Sequence, residues 1–94
     1  MIVSLDHLKA HLRIQHDDED DLLMSLIIQA QGAAENFCLT SFSTDAPEPV
    51  RLAVILMASH FYEYRDASDR FAIRAMRMAF DMLLWPYRDV TRLV

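Results

Sequence analysis

The stretch DDEDDLLMSLIIQAQGAAENF, residues 17–37, decides the fold class of this chain. It opens with five acidic residues, whose carboxylates suit the positive end of a helix dipole. Behind them, apolar residues recur at intervals of three and four, the spacing that places side chains on one face of an α-helix. These apolar positions are Leu23, Leu26, Ile27, Ala30, Ala34 and Phe37. The stretch is therefore predicted to form a long amphipathic helix.

The segment before this helix is predicted to form a shorter one. Ser4 is a suitable N-cap residue, and the helix should end near Arg13 or Ile14. Its apolar face consists of Leu5, Leu8 and Leu12. After the long helix, residues 40–49 contain Ser, Thr, Asp and two prolines, which is a composition typical of a loop.

Two more helices are predicted in the second half of the chain. Pro49 fits the first turn of a helix that runs to about Arg65. The centre of this segment, residues 52–58, is apolar on every side, as expected of a helix surrounded by others. The absence of Gly and Pro from residues 50–65 favours a helix over a buried strand. A last helix stops at Pro86, and its inner face consists of Ile73, Met76, Phe80, Leu83 and Leu84.

The composition fits one small all-α domain of four helices that spans residues 1–94, with residues 87–94 as an extended tail. The chain is 53% hydrophobic and has one Gly and three Pro. It is therefore too apolar for disorder and too poor in turn residues for a β fold. Six Met and nine aromatic residues are more than so small a core needs. We expect some of this apolar surface to be buried against another chain.

The charge is unevenly distributed. The formal net charge is −5. Residues 1–48 carry nine acidic and two basic side chains, a net charge of −7, whereas residues 49–94 carry five acidic and seven basic ones, a net charge of +2. Because phosphate neutralisation needs clustered Lys and Arg, a general nucleic-acid binder is not predicted. No signal peptide is visible, and the longest apolar run, seven residues, is far below the roughly 20 that span a bilayer. We expect a soluble protein made in a reducing cytoplasm.

Few residues are arranged as in a catalytic or metal site. His7 and His11 share a helix face and could bind zinc, but Leu8 stands where a metalloprotease helix has its Glu, so solvated histidines are the preferred interpretation. The acidic residues 17–21 lack the alternating ligands and central Gly of an EF-hand loop. Cys38, the only cysteine, is predicted to be a small buried hydrophobic residue. We predict no cofactor, no metal ion and no enzymatic activity.

Four pieces of the sequence, taken in order, resemble the head–tail connector family of tailed phages and prophages. The first is VSLDHLKAHLRI, residues 3–14, followed by HDDEDDLL, residues 16–23, and it is similar to the start of the family. The others are AAENFC (33–38), AVILMASHFYEYR (53–65) and LLWPYR (83–88). They are similar to the end of the family's second helix, its third helix and its closing Leu-Leu-x-Pro-Tyr-Arg signature. Residues 69–81 depart from the family, because an Arg-rich helical stretch stands where a short Pro-containing link is common.

The resemblance implies a structural virion protein. Members are small helical proteins, often described as possible DNA-packaging proteins. Their likeness implies a homo-oligomeric ring, a dodecamer, beneath the portal protein at the head–tail junction. Tail-completion proteins would dock on it, and packaged DNA would pass through a lumen whose acidic charge prevents sticking. The competing interpretation is a small helical regulatory or antitoxin-like protein. A helix-turn-helix DNA reader would need a basic recognition helix, and only the fourth helix offers several arginines on one face. An enzyme subunit ranks last.

Two surface features could contact a partner. At the end of the third helix lies a polar–aromatic cluster, His60, Tyr62, Tyr64 and Arg65, whose rings we expect to close the core while their polar tips reach water. The fourth helix carries a narrow charged stripe, termed the arginine stripe: Arg70, Arg74, Arg77 and Asp81. In a head-to-tail ring it could meet the acidic run of the next subunit, residues 17–21, through Asp17, Asp18, Asp20 and Asp21. The alternative is a solvated face on which Arg77 pairs with Asp81.

Overall fold

Four α-helices make up the fold. The computed structural model describes residues 1–64 and 70–89, without the side chains of residues 70–72. The helices are α1 (Leu5–Leu12), α2 (Asp20–Cys38), α3 (Glu48–Glu63) and α4 (Arg70–Leu84), and a 3₁₀ turn, Trp85–Tyr87, follows α4. Within the described ranges there is no strand. The predicted all-α fold with four helices is confirmed.

Local sequence signals explain where the helices begin and end. The hydroxyl oxygen of Ser4 accepts a hydrogen bond from the backbone N–H of His7 at 3.0 Å, which caps α1 as predicted. Arg13 and Leu39 adopt left-handed backbone conformations, with φ of 60° at each, and these terminate α1 and α2. Pro49 occupies the first turn of α3, and Pro86 lies in the 3₁₀ turn that ends α4.

The core is built around α3, which contacts the three other helices. Its fully buried members come from all four helices and include Leu8, Leu23, Ile27, Val54, Phe80 and Leu84. Two details differ from the sequence expectation. Leu52 is 44% exposed, because the neighbouring helices leave one side of the first turns of α3 uncovered. Phe37, which the sequence predicts on the inner face of α2, is only partly buried.

Arg51 joins the loop before α3 to the N-terminal segment. Its Nη1 donates to the carbonyl oxygen of Ile2 at 3.0 Å, and its Nε donates to that of Ala46 at 3.1 Å. Its Nη2 also donates to the carbonyl of Thr44. A single guanidinium therefore satisfies three backbone carbonyls that no helix ladder can reach. Of the predicted extended tail, only residues 87–89 are described, and Arg88 has an extended backbone.

Candidate interaction surfaces

The acidic run, residues 17–21, lies where α1 meets α2, and two of its aspartates bond a lysine of α1. Lys9 Nζ lies 2.7 Å from Asp17 Oδ1 and 2.8 Å from Asp20 Oδ1. The hydrogen bonds to the two carboxylates raise the pKa of Lys9 to about 12. The same contact with Lys9 lowers the pKa of Asp17. These two aspartates therefore fasten α1 to the start of α2, whatever else they contact.

The remaining members of the acidic run differ in their surroundings. Glu19 Oε1 accepts a hydrogen bond from the hydroxyl of Tyr62 at 2.6 Å, which ties the run to the end of α3. The Asp18 carboxylate is solvent-exposed and lies 3.9 Å from Nδ1 of His16. Asp21 is also exposed, on the first turn of α2. Of the four aspartates in the acidic run, Asp17, Asp18 and Asp21 are exposed, and Asp18 and Asp21 are the two that do not bond Lys9.

The arginine stripe lies on the solvent side of α4. Arg74 and Arg77 are exposed, and the side chain of Arg70 falls outside the described residues. Arg77 Nε lies 3.3 Å from Asp81 Oδ1, one helical turn away. Such an exposed i,i+4 pair contributes only about 0.3–0.5 kcal/mol, so it holds neither side chain firmly in place. The geometry is compatible both with a solvated face and with a contact to another chain.

Beside the arginine stripe lies an apolar stripe that the sequence analysis did not identify. It consists of Met78, Met82 and Trp85, which are 60%, 74% and 64% exposed. Their spacing of four and three residues aligns them along α4, turned away from the buried Phe80. The helical spacing that located the arginine stripe could also have located this one. Part of the expected excess of apolar surface is therefore found here.

Trp85 belongs to an ordered cluster at the end of α4. The guanidinium carbon of Arg88 lies 4.9 Å from the ring centroid of Phe37 and 5.2 Å from that of Trp85. Arg88 Nε also donates to the carbonyl oxygen of Phe37 at 2.9 Å. The two rings lie 6.4 Å apart, centroid to centroid. These contacts hold the Trp85 ring in place, although the side chain is exposed.

A shallow groove lies along the outer side of α2. It has a volume of about 240 Å³ and is lined by Met1, Ile28, Gln31, Gly32 and Glu35. Ile28 and Met1 are 58% and 51% exposed, so the groove is apolar where it is most open. A Cβ atom added at Gly32 would meet nothing within 4 Å. This surface is called the Gly32 groove below.

The polar–aromatic cluster at the end of α3 lies in part against the core. His60 is buried and stacks on Tyr64, with ring centroids 4.9 Å apart. Tyr62 is half-buried, but its hydroxyl bonds Glu19 rather than only reaching water, which corrects that part of the expectation. Arg65 lies outside the described residues. Next to the cluster, a groove of about 240 Å³ is lined by residues of α1, α3 and α4, including Ser59.

In the described part of the chain, the residues that could bind a metal ion or act as a nucleophile do not form a cluster. His7 and His11 are exposed on α1. Among the described side chains, no group of three or more potential ligands lies close enough to hold a metal ion. Cys38 is buried with its Sγ 3.7 Å from the carbonyl oxygen of Leu84, and burial raises the pKa of its thiol. It therefore lies in the core as a small hydrophobic residue, as predicted.

Comparison with known proteins identifies a family. A family model described as "Phage gp6-like head-tail connector protein" matches residues 2–84, which include all four helices. No curated protein and no solved structure matches the chain. None of the helices in the described residues is long and apolar enough to cross a membrane.

Proposed function

Because the chain belongs to the phage gp6-like head–tail connector family, a family of phage structural proteins, we propose that it forms a ring that joins the portal of the DNA-filled head to the tail. The match over residues 2–84 is the observation that carries this proposal. The ring is a homo-oligomer at the head–tail junction of the virion, and its partners are the portal protein and tail-completion proteins. Its dodecameric state follows from the family resemblance alone.

The surfaces of the chain support assembly by contacts between unlike patches. A ring of identical subunits closes through head-to-tail contacts, in which two different surfaces of the same chain meet. This chain carries an arginine stripe on α4 and an acidic run at the start of α2. We place the arginine stripe of one subunit, Arg70, Arg74, Arg77 and Asp81, against the acidic run of the next. Opposite charges on unlike surfaces fix the direction and register of such a contact.

The packaged DNA passes through the ring without being held. With a formal net charge of −5, the subunit has few cations to replace the counterions of a duplex. We expect the free protein to show little binding to a fluorescent duplex in an anisotropy titration near physiological salt. Tight binding that weakens steeply with added salt would contradict this expectation and favour the regulatory interpretation.

Disrupting the gene in the phage or prophage that carries it tests the proposed function directly. We expect heads that contain DNA but remain without tails, together with free tails, when particles are examined by electron microscopy. Expression of the wild-type chain from a plasmid should restore tailed particles, and addition of the purified chain to the tailless heads should do the same. Normal tail attachment in the absence of the chain would disprove the proposal.

A further inference from the structure

We propose that the apolar stripe of α4, Met78, Met82 and Trp85, packs into the Gly32 groove of α2 in a second copy of this chain. The inference rests on the proposed function, since it names a contact through which connector subunits associate. It is carried by four observations: a glycine without an internal role, an open groove around it, a protruding stripe of large side chains and opposite charges beside the two surfaces.

The packing of the chain does not require a glycine at position 32. Gly32 lies in the middle of α2, where glycine weakens a helix relative to alanine. Since nothing lies within 4 Å of a Cβ placed there, no neighbour within the chain requires the missing side chain. Glycine is favoured where another backbone or side chain must approach a helix closely. The groove around Gly32 therefore has the shape of an acceptor for a side chain from outside.

The apolar stripe supplies side chains suited to that acceptor. Methionine adapts to irregular grooves, and tryptophan is enriched among the residues that dominate binding at protein interfaces. Trp85 is already fixed against Phe37 and Arg88, so it loses little conformational freedom when a partner covers it. In the groove, Ile28 offers an exposed apolar contact of comparable size.

Charge complementarity identifies the occupant as a second copy. Arg74 and Arg77 lie along one side of the apolar stripe. Glu35, whose carboxylate also accepts the backbone N–H of Phe42, lines the Gly32 groove, and Asp21 is exposed about three turns away on the same helix. The halves of the chain that bear these surfaces have net charges of +2 and −7. The α4 of one copy is thus complementary to the α2 of another in both shape and charge. The two surfaces are different, so the contact is head-to-tail, as ring closure requires.

Cross-linking between two variants that each carry one added cysteine tests the contact. Gly32→Cys and Met82→Cys are prepared separately, mixed, and treated with a short bismaleimide. We expect a covalent dimer in the mixture and none with either variant alone. The wild-type chain, whose Cys38 is buried, gives the background. Leu52→Cys, at an exposed position on α3, replaces Met82→Cys in a control mixture that should remain unlinked.

Adding bulk at Gly32 provides a second test. Gly32→Leu should raise the Tm of the monomer by about 4 °C, because the helix gains propensity and the side chain meets open space. The same variant should weaken self-association at least about tenfold in sedimentation velocity, because the groove is filled. Ala10→Leu, at an exposed position of α1, is the matched control and should leave association unchanged.

The outcomes separate this inference from the proposed function. If the mixture does not cross-link, or Gly32→Leu associates like the wild type, the contact is wrong, even where the purified chain still restores tails to heads. If the mixture cross-links but the chain does not restore tails, the contact stands and the connector function is wrong.

Discussion

The ion pair between Lys9 and Asp17 makes the stability of the fold depend on pH. The Lys9 ammonium bonds Asp17 and Asp20, and the pKa of Asp17 is lowered while that of Lys9 is raised to about 12. Because the pKa of Asp17 is lower in the folded protein than its unfolded value of 3.8, the ionised carboxylate stabilises the fold above pH 3.8. This stabilisation is lost as the pH falls through the folded pKa. Because the pKa of Lys9 is raised from 10.5 to about 12 on folding, the protonated ammonium stabilises the fold fully below pH 10.5. This stabilisation is lost as the pH rises through about 12.

Comparing wild type with Lys9→Met at a series of pH values checks this. We expect the variant to unfold at a lower urea concentration between about pH 5 and pH 10, because both charges are present there. The difference should shrink below about pH 4, as Asp17 takes up its proton in both states. Lys9→Arg should stay close to the wild type. A difference that is independent of pH would show that the ion pairs do not account for the effect.

Contacts of this kind are the part of the structure that the sequence could not predict. Lys9 and Asp20 are 11 residues apart, and Arg51 bonds Ile2 across 49 residues. Helical periodicity orders residues within one element but says nothing of which polar groups meet after the elements pack. The acidic run was therefore interpreted as helix N-terminal charge, although half of its aspartates bond a lysine of the preceding helix.

The helices themselves were predicted because their signals are local. Ser4, Pro49 and Pro86 mark helix ends through backbone chemistry that acts within a few residues. The inner faces were predicted because each follows the spacing of 3.6 residues per turn. The same spacing places Met82 outside the predicted inner face of α4, and the structure shows that it is exposed. What the spacing could not predict is whether such an exposed apolar residue contacts another chain.

Two substitutions on α4 distinguish its inner and outer faces. Phe80→Ala should lower the free energy of unfolding by about 3–5 kcal/mol, because the ring is buried and its removal leaves a cavity. Met82→Ala, two residues away and 74% exposed, should change it by less than about 0.5 kcal/mol. Urea titrations followed by circular dichroism measure both. Equal losses would show that α4 is oriented differently.

At the scale of the whole molecule, the separation of charge along the chain bears on the proposed contact between copies. An acidic half and a weakly basic half repel when like surfaces approach and attract when unlike surfaces do. This disfavours a two-fold dimer through either half and favours head-to-tail addition. The apolar stripe and the arginine stripe share the outer side of α4, so the proposed contact would involve both.

Charge reversal with rescue tests this arrangement. Arg74→Glu/Arg77→Glu should weaken self-association, because the reversed arginine stripe would face the acidic run of the next subunit. The helix should still fold, since the new Glu at position 77 opposes Asp81 by only a few tenths of a kcal/mol. Asp18→Arg/Asp21→Arg should be similarly impaired alone, and mixing the two double variants should restore association through one interface.

Arg13→Glu, compared with Arg74→Glu, controls for net charge. Sedimentation velocity at two salt concentrations gives the measurement, and the wild-type association should weaken as salt rises. If the arginine variant assembles at the same protein and salt concentrations as the wild type, the stripe is a solvated face and subunits recognise one another elsewhere.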